Sequence, residues 1–208
     1  MQFKVCGIAN MEQALALEAM GVHYIGFIFY PASKRYVLAN LSLNDLVNFK
    51  PTNAKKVGVF VNEPLEQLLS IVKEAGLDMV QLHGDEDADY CAMVKKQVTV
   101  VKVFRVGGAL PKFEDFENVA DYFLFDTDSK MYGGTGQHFN WELIKGSNIN
   151  KPYFLSGGIG PNDMQGVQIM EQTKAGKTLA ALDLNSQFEL EPGIKNLEKI
   201  KTFINAFI

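Results

Sequence analysis

Two reactive side chains stand at the ends of apolar runs in this sequence. Cys6 comes late in Phe3-Lys4-Val5-Cys6-Gly7-Ile8, and Asp126 closes Tyr122-Phe123-Leu124-Phe125-Asp126. Each has a plain structural alternative. A lone cysteine often packs as a small hydrophobe, and an aspartate after a strand often caps a turn or helix. Further polar groups follow other apolar runs. Pro31-Ala32-Ser33-Lys34-Arg35-Tyr36 is a basic loop that could receive an anion, or simply be solvated surface. Gln81-Leu82-His83-Gly84 ends another run, and Asp183-Leu184-Asn185-Ser186 ends the last one. Two glycine segments complete the set, Gly133-Gly134-Thr135-Gly136 and Ser156-Gly157-Gly158-Ile159-Gly160. Glycine lets backbone amides approach an anionic ligand closely, although it also serves any tight turn.

These groups need elements to carry them. Apolar, β-branched or aromatic runs cover Phe3–Ile8, His23–Tyr30, Lys56–Val61, Met79–His83, Thr99–Arg105, Tyr122–Asp126, Tyr153–Ser156 and Leu179–Asn185. Most are continuous and not alternating, as expected of parallel strands covered on both faces. Helical patterns lie between them. Asn10 is placed to cap a helix running to Met20, with Gln13 in the reciprocal position. Asn62 and Pro64 start another, with a Leu65, Leu68, Leu69, Val72 stripe closed by Gly76. Asp85–Lys96 forms a third, in which Cys91 reads as helix packing. Shorter helices are expected at Ser42–Phe49, Phe113–Ala120 and Trp141–Ile144, a moderate one at Asp163–Gln172 and a final one over Ile194–Phe207. Eight strands alternating with helices over residues 1–208 fit a single-domain α/β fold, the (β/α)8 TIM barrel. A doubly wound open sheet is the alternative. In the barrel, groups at strand ends gather at one mouth, and the loops after strands seven and eight commonly hold phosphate.

The bulk numbers narrow the classes. With 208 residues, 47% hydrophobic and 21% charged, the chain can bury a substantial core. Its net charge of −4 argues against a broad nucleic-acid surface but leaves a small phosphorylated ligand open. No run of about 18 apolar residues is present to span a bilayer. The first strand starts at the N-terminus without a signal pattern, so the expected compartment is the cytoplasm, with Cys6 and Cys91 reduced. His23, His83 and His138 have no metal-ligand spacing, so no metal site is expected. No nucleophile elbow, Walker loop or dinucleotide fingerprint occurs.

Taken together, the motifs resemble the phosphoribosylanthranilate isomerases of tryptophan biosynthesis. The resemblance runs through Lys4–Ile8, Gly26–Tyr30 with Ser33–Tyr36, Val57–Asn62, Val80–Gly84, Phe125–Thr127, Gly133–Gly136, Leu155–Gly158 and Asp183–Glu189, in order along the whole chain. Ala9 and Gln187 depart from it mildly. The resemblance implies a cofactor-free Amadori rearrangement of N-(5-phosphoribosyl)anthranilate, with Cys6 as general base and Asp126 as general acid. It places Arg35 on the anthranilate carboxylate, and Gly157, Gly158, Asn185 and Ser186 on the phosphate. Asp183 then meets a ribose hydroxyl, Gln81 and His83 line the pocket, and Gly134 belongs to a loop over the ligand. The expected assembly is a monomer or homodimer, without nucleic acid or membrane. A free Asp titrates near about 3.9 and a free Cys near about 8.5, so both roles require help from the site. Desolvation by the strand-six wall is expected for Asp126, and nearby amide donors for Cys6. The histidine-pathway ketol isomerase performs the same rearrangement, more naturally with two carboxylates, and the thiol on strand one favours the anthranilate enzyme. A silent barrel that only binds a phosphorylated metabolite is the non-enzyme alternative.

Overall fold

The computed structural model describes residues 1–128 and 139–207, which leaves the Gly133–Gly136 loop, and Gly134 with it, outside the described residues. All eight expected strands form. They are β1 Gln2–Val5, β2 Tyr24–Ile28, β3 Lys55–Phe60, β4 Met79–Leu82, β5 Thr99–Val106, β6 Tyr122–Thr127, β7 Tyr153–Leu155 and β8 Leu179–Leu184. Each pairs in parallel with the next, and β1 closes on β8 with Lys4 opposite Asp183, making a closed barrel. The open-sheet alternative is thereby excluded.

Successive side chains of a strand face opposite sides, which explains the continuous apolar runs. One set packs outward under the helices, for example Phe3 against Phe203 with ring centroids 6.3 Å apart. The other fills the interior, where Tyr24 and Phe154 reach across from β2 and β7 to 4.9 Å. Val57, Met79, Val101, Val103, Leu124 and Ala181 complete this inner cluster. On β1 and just past its end the inward residues are different: Lys4 and Cys6 are polar or reactive, and both are buried.

The helices are α1 Met11–Ala19, α2 Leu43–Asn48, α3 Leu65–Ala75, α4 Ala88–Lys95, α5 Glu142–Lys145, α6 Met164–Glu171 and α7 Leu197–Asn205. Cys91 packs in α4 as expected, fully buried and free. Four local expectations are corrected. Asn10 caps α1 by accepting from Glu12 N and Gln13 N, but the Gln13 side chain instead bonds both backbone groups of Lys195. Asn62 does not cap α3; it adopts φ 51°, and its side chain accepts from Asp85 N to tie the loops after β3 and β4. Phe113–Ala120 yields only a 3-10 turn at Glu114–Phe116, with Phe113 and Phe116 both packed on Phe104 (6.1 and 5.4 Å).

The fourth correction bears on the site. The final helix begins at Leu197, capped by Asn196, and Ile194–Lys195 is a strand, β10, antiparallel to β9 Glu189–Glu191. Gly193 turns this hairpin with φ 89°, a conformation that strains any side-chain-bearing residue. No helix of the described residues is long and apolar enough to cross a membrane.

Candidate active site

The C-terminal ends of the strands surround one pocket of about 720 Å³, part of it open to solvent. Cys6, Arg35, Gln81, His83 and Asp126 all line it. So do Gly157, Gly158, Asp183, Asn185 and Ser186, so ten of the residues singled out from sequence meet in one place. Ile28, Val59 and Val61 supply an apolar wall on the β2–β3 side.

Cys6 continues the β1 ladder one residue beyond the strand, its amide donating to Leu184 O at 2.9 Å. A Cβ built on Gly26 of β2 would stand 2.8 Å from the Cys6 sulfur, so only glycine at that neighbour leaves the thiol its place. Below it, Lys4 Nζ donates to Asp183 Oδ1 at 2.9 Å, and its charge also acts on the Cys6 side chain. Burial pushes the Cys6 thiol above its ordinary value, and the Lys4 ammonium pulls it part of the way back. The donor that helps the thiolate is thus a buried cation and not the backbone amides expected from sequence. Burial alone would lower the Lys4 pKa, but Asp183 and Cys6 outweigh it and hold it above the usual lysine range. Burial also pushes the Asp183 carboxyl up, against the pull of Lys4. The 2.9 Å contact decides for the ion pair, because a neutral Asp183 would leave a fully buried ammonium beside no carboxylate.

Across the mouth, Asp126 Oδ1 accepts from Thr127 N at 2.9 Å, and Oδ2 lies 3.4 Å from His83 Nε2. Its side chain is 16% exposed, so the apolar enclosure expected around it is incomplete. Gln81 Nε2 stands 3.0 Å from His83 Nδ1. With the amide nitrogen on this side Nδ1 accepts and the ring proton sits on Nε2, facing Asp126. The reversed amide would put the proton on Nδ1, so the Gln81 orientation and the histidine tautomer are coupled.

On the β7–β8 side, Gly157 and Gly158 have φ 87° and 75°. A Cβ on Gly157 would fall 2.4 Å from Thr127 Oγ1, so this loop can lie against β6 only with glycine there. Asn185 and Ser186 follow β8 directly. Asn185 Oδ1 accepts from Lys195 Nζ at 2.7 Å, which leaves its donating Nδ2 for an anion.

Arg35 is not a freely presented cation. Its Nε lies 2.9 and 3.0 Å from the two carboxylate oxygens of Glu189, and its Nη2 lies 2.6 Å from Glu189 Oε2. Lys195 Nζ and Gly193 N also donate to Glu189 Oε1, at 2.6 and 3.0 Å. Sequence reasoning missed Lys4, Glu189 and Lys195. The Pro192-Gly193 turn signal was the available clue to the hairpin that carries the last two. Among the described residues no group of three or more His, Cys, Asp or Glu is arranged to hold a metal ion.

Comparison with known proteins finds relatives over nearly the whole chain. A family model described as N-(5'phosphoribosyl)anthranilate (PRA) isomerase matches residues 3–206. The N-(5'-phosphoribosyl)anthranilate isomerase of Aquifex aeolicus is 40% identical over 204 residues, covering 97% of this chain and 95% of that protein. The crystal structure of phosphoribosyl anthranilate isomerase from Thermotoga maritima is 33% identical, with a TM-score of 0.81 and coverage of 99% of this chain and 98% of that one. A solved isomerase in complex with reduced 1-(o-carboxyphenylamino)-1-deoxyribulose 5-phosphate is 31% identical, with a TM-score of 0.75 and coverage of 99% and 97%. The chain belongs to the N-(5'-phosphoribosyl)anthranilate isomerase family.

Proposed function

We propose that the chain isomerises N-(5-phosphoribosyl)anthranilate to 1-(2-carboxyphenylamino)-1-deoxyribulose 5-phosphate in tryptophan biosynthesis, with Asp126 as general acid and Cys6 as general base. Family membership supports the reaction. The single observation that supports the two roles is that a thiol from β1 and a carboxyl from β6 line the same pocket, beside the loops after β7 and β8.

In this reading the phosphate lies against Gly157, Gly158, Asn185 and Ser186, and Asp183 meets a ribose hydroxyl. The aryl ring packs on the Ile28, Val59 and Val61 wall with its carboxylate toward Arg35. Asp126 gives its proton to the furanose ring oxygen as the C1–O bond breaks, and the nitrogen lone pair forms the C=N bond of a protonated Schiff base. His83 Nε2–H then hydrogen-bonds the carboxylate that remains. The Cys6 thiolate, opposite Lys4, takes the C2 proton, and the electrons released neutralise the iminium to give an enolamine. Gain of a proton at C1 and loss of one from the C2 hydroxyl yield the ketone. C2 is oxidised as C1 is reduced within the one molecule, and the enzyme exchanges only protons with it, so the chemistry calls for no external redox agent.

The test follows loss of anthranilate fluorescence from substrate made in situ. Wild-type turnover is expected, with Cys6→Ser and Asp126→Asn each slower by about 10²-fold or more. Wild-type turnover with both variants still fast would keep the reaction and discard the acid–base assignment.

A further inference from the structure

We propose that Glu189 is the positioning residue of the aryl-carboxylate subsite: it grips one edge of Arg35 so that the other edge faces the pocket, and Lys195 keeps the cluster cationic. The inference rests on the reading above in which Arg35 meets the substrate's carboxylate.

A guanidinium offers two two-pronged edges, one made by Nε and Nη2 and one by the two terminal nitrogens. Glu189 occupies the first with both of its oxygens. Arg35 nevertheless lines the pocket, and among the described residues no acceptor meets Nη1. The end-on edge is therefore the one left for a ligand, and a carboxylate matches it.

Other contacts fix the same side chain. Arg35 N donates to Ser33 Oγ at 3.1 Å, holding the loop. Gly7, at φ 76°, passes under the arginine stem so closely that a Cβ there would lie 2.6 Å from Arg35 Cδ. An arginine held in this way has little rotamer freedom left to lose when a ligand binds, which is how preorganisation raises affinity.

A single Arg–Glu pair would be neutral and would attract a second carboxylate weakly. Lys195 changes that sum: two cations face one carboxylate, so the cluster carries a net +1. Lys195 is buried, and its ammonium also holds Asn185 Oδ1. The hairpin β9–β10 thus connects the carboxylate subsite to the loop assigned to phosphate.

Selectivity between ligands tests the idea. Two competitive inhibitors are compared, a reduced 1-(2-carboxyphenylamino)-1-deoxyribulose 5-phosphate and the 1-phenylamino compound that lacks the carboxylate. Glu189→Asp, which shortens the reach but keeps the cluster at +1, should raise KM and the inhibition constant of the carboxylated compound by about 10- to 100-fold. kcat and the inhibition constant of the carboxylate-free compound should move by no more than about 3-fold. Glu189→Gln loosens the grip but takes the cluster to +2, so it should weaken the carboxylated compound less than Glu189→Asp does. Equal weakening of both inhibitors in a folded variant, or no change for either, overturns the proposal. Arg35→Lys is the reference: if it too weakens both inhibitors equally, the fault lies in the placement of the carboxylate at Arg35. If Arg35→Lys separates them and the Glu189 variants do not, the fault lies with Glu189 alone.

Discussion

Lys4→Met should destabilise the protein in a way that depends on pH and that a second substitution repairs. Lys4 and Asp183 pair at 2.9 Å with side chains 0% and 5% exposed. Removing one member of a buried pair leaves the other charge unmatched and typically costs about 3–5 kcal/mol. Asp183 can partly escape by taking up a proton, which places the expectation at the lower end, about 3 kcal/mol at neutral pH. For a chain of this length that is a fall in Tm of about 6–12 °C. In the variant, burial raises the Asp183 carboxyl without the opposing pull of Lys4. A carboxyl raised in the folded state contributes stability that is full below its unfolded pKa and is lost as pH rises through the folded value. The deficit relative to wild type should therefore be smaller at pH 5 than at pH 8. Lys4→Met with Asp183→Asn removes both charges and should recover most of the loss, since a buried pair replaced by neutral groups is often nearly neutral in stability. The double variant should still turn over slowly, because the cation beside Cys6 is gone. Thermal melts followed by circular dichroism at both pH values, with turnover of the wild type and both variants, decide the matter. A deficit below about 1 kcal/mol, or one equal at both pH values, would refute the buried ion pair.

Two further outcomes follow from named contacts. The folded-state pKa of Cys6 is raised by burial, so the protonated thiol contributes stability in full below its unfolded value and loses it as pH rises through the folded one; Tm should fall more steeply above pH 9 in wild type than in Cys6→Ala. Lys56 Nζ donates to Leu46 O in α2 and to Ala75 O at the end of α3, at 2.8 and 2.9 Å, so Lys56→Met should cost about 1.5–3 kcal/mol in urea unfolding with kcat unchanged.

The strands were legible because both of their faces are covered, which writes each one as an unbroken apolar run. Cys6 and Asp126 were legible because each ends such a run. Lys4 was not, although it stands two residues from Cys6, because a single lysine inside Phe3-Lys4-Val5 does not interrupt an apolar pattern. Its meaning lies in Asp183, which meets it only when β8 closes on β1. Glu189 was hidden in the same way behind its distant partner Arg35. The hairpin was hidden by its brevity: Ile194 and Lys195 make only two residues of strand, and Ile194 with Leu197 and Ile200 has helical spacing. Phe113–Ala120 misled for the opposite reason, since its apolar residues serve an aromatic cluster around Phe104.

The closure of the barrel and the construction of the site draw on the same residues. Seven strands supply inward apolar side chains, but at the β1–β8 seam the interior holds an ion pair and a thiol. Hydrophobic side chains of similar volume would serve stability at least as well there. A cation placed under Cys6 is useful for another reason, since it is what offsets the effect of burial on the thiol. Just beyond the seam, Asn185, Lys195 and Glu189 follow β8 as a bonded chain, and Glu189 reaches back to Arg35 on the loop after β2. Any opening that separates β8 and its hairpin from β1 therefore removes the counter-charge of Lys4, the grip on Arg35 and the Asn185–Ser186 loop together. Local unfolding at this seam is loss of the whole binding apparatus, so in this barrel the stability of the last strand is also the integrity of the site.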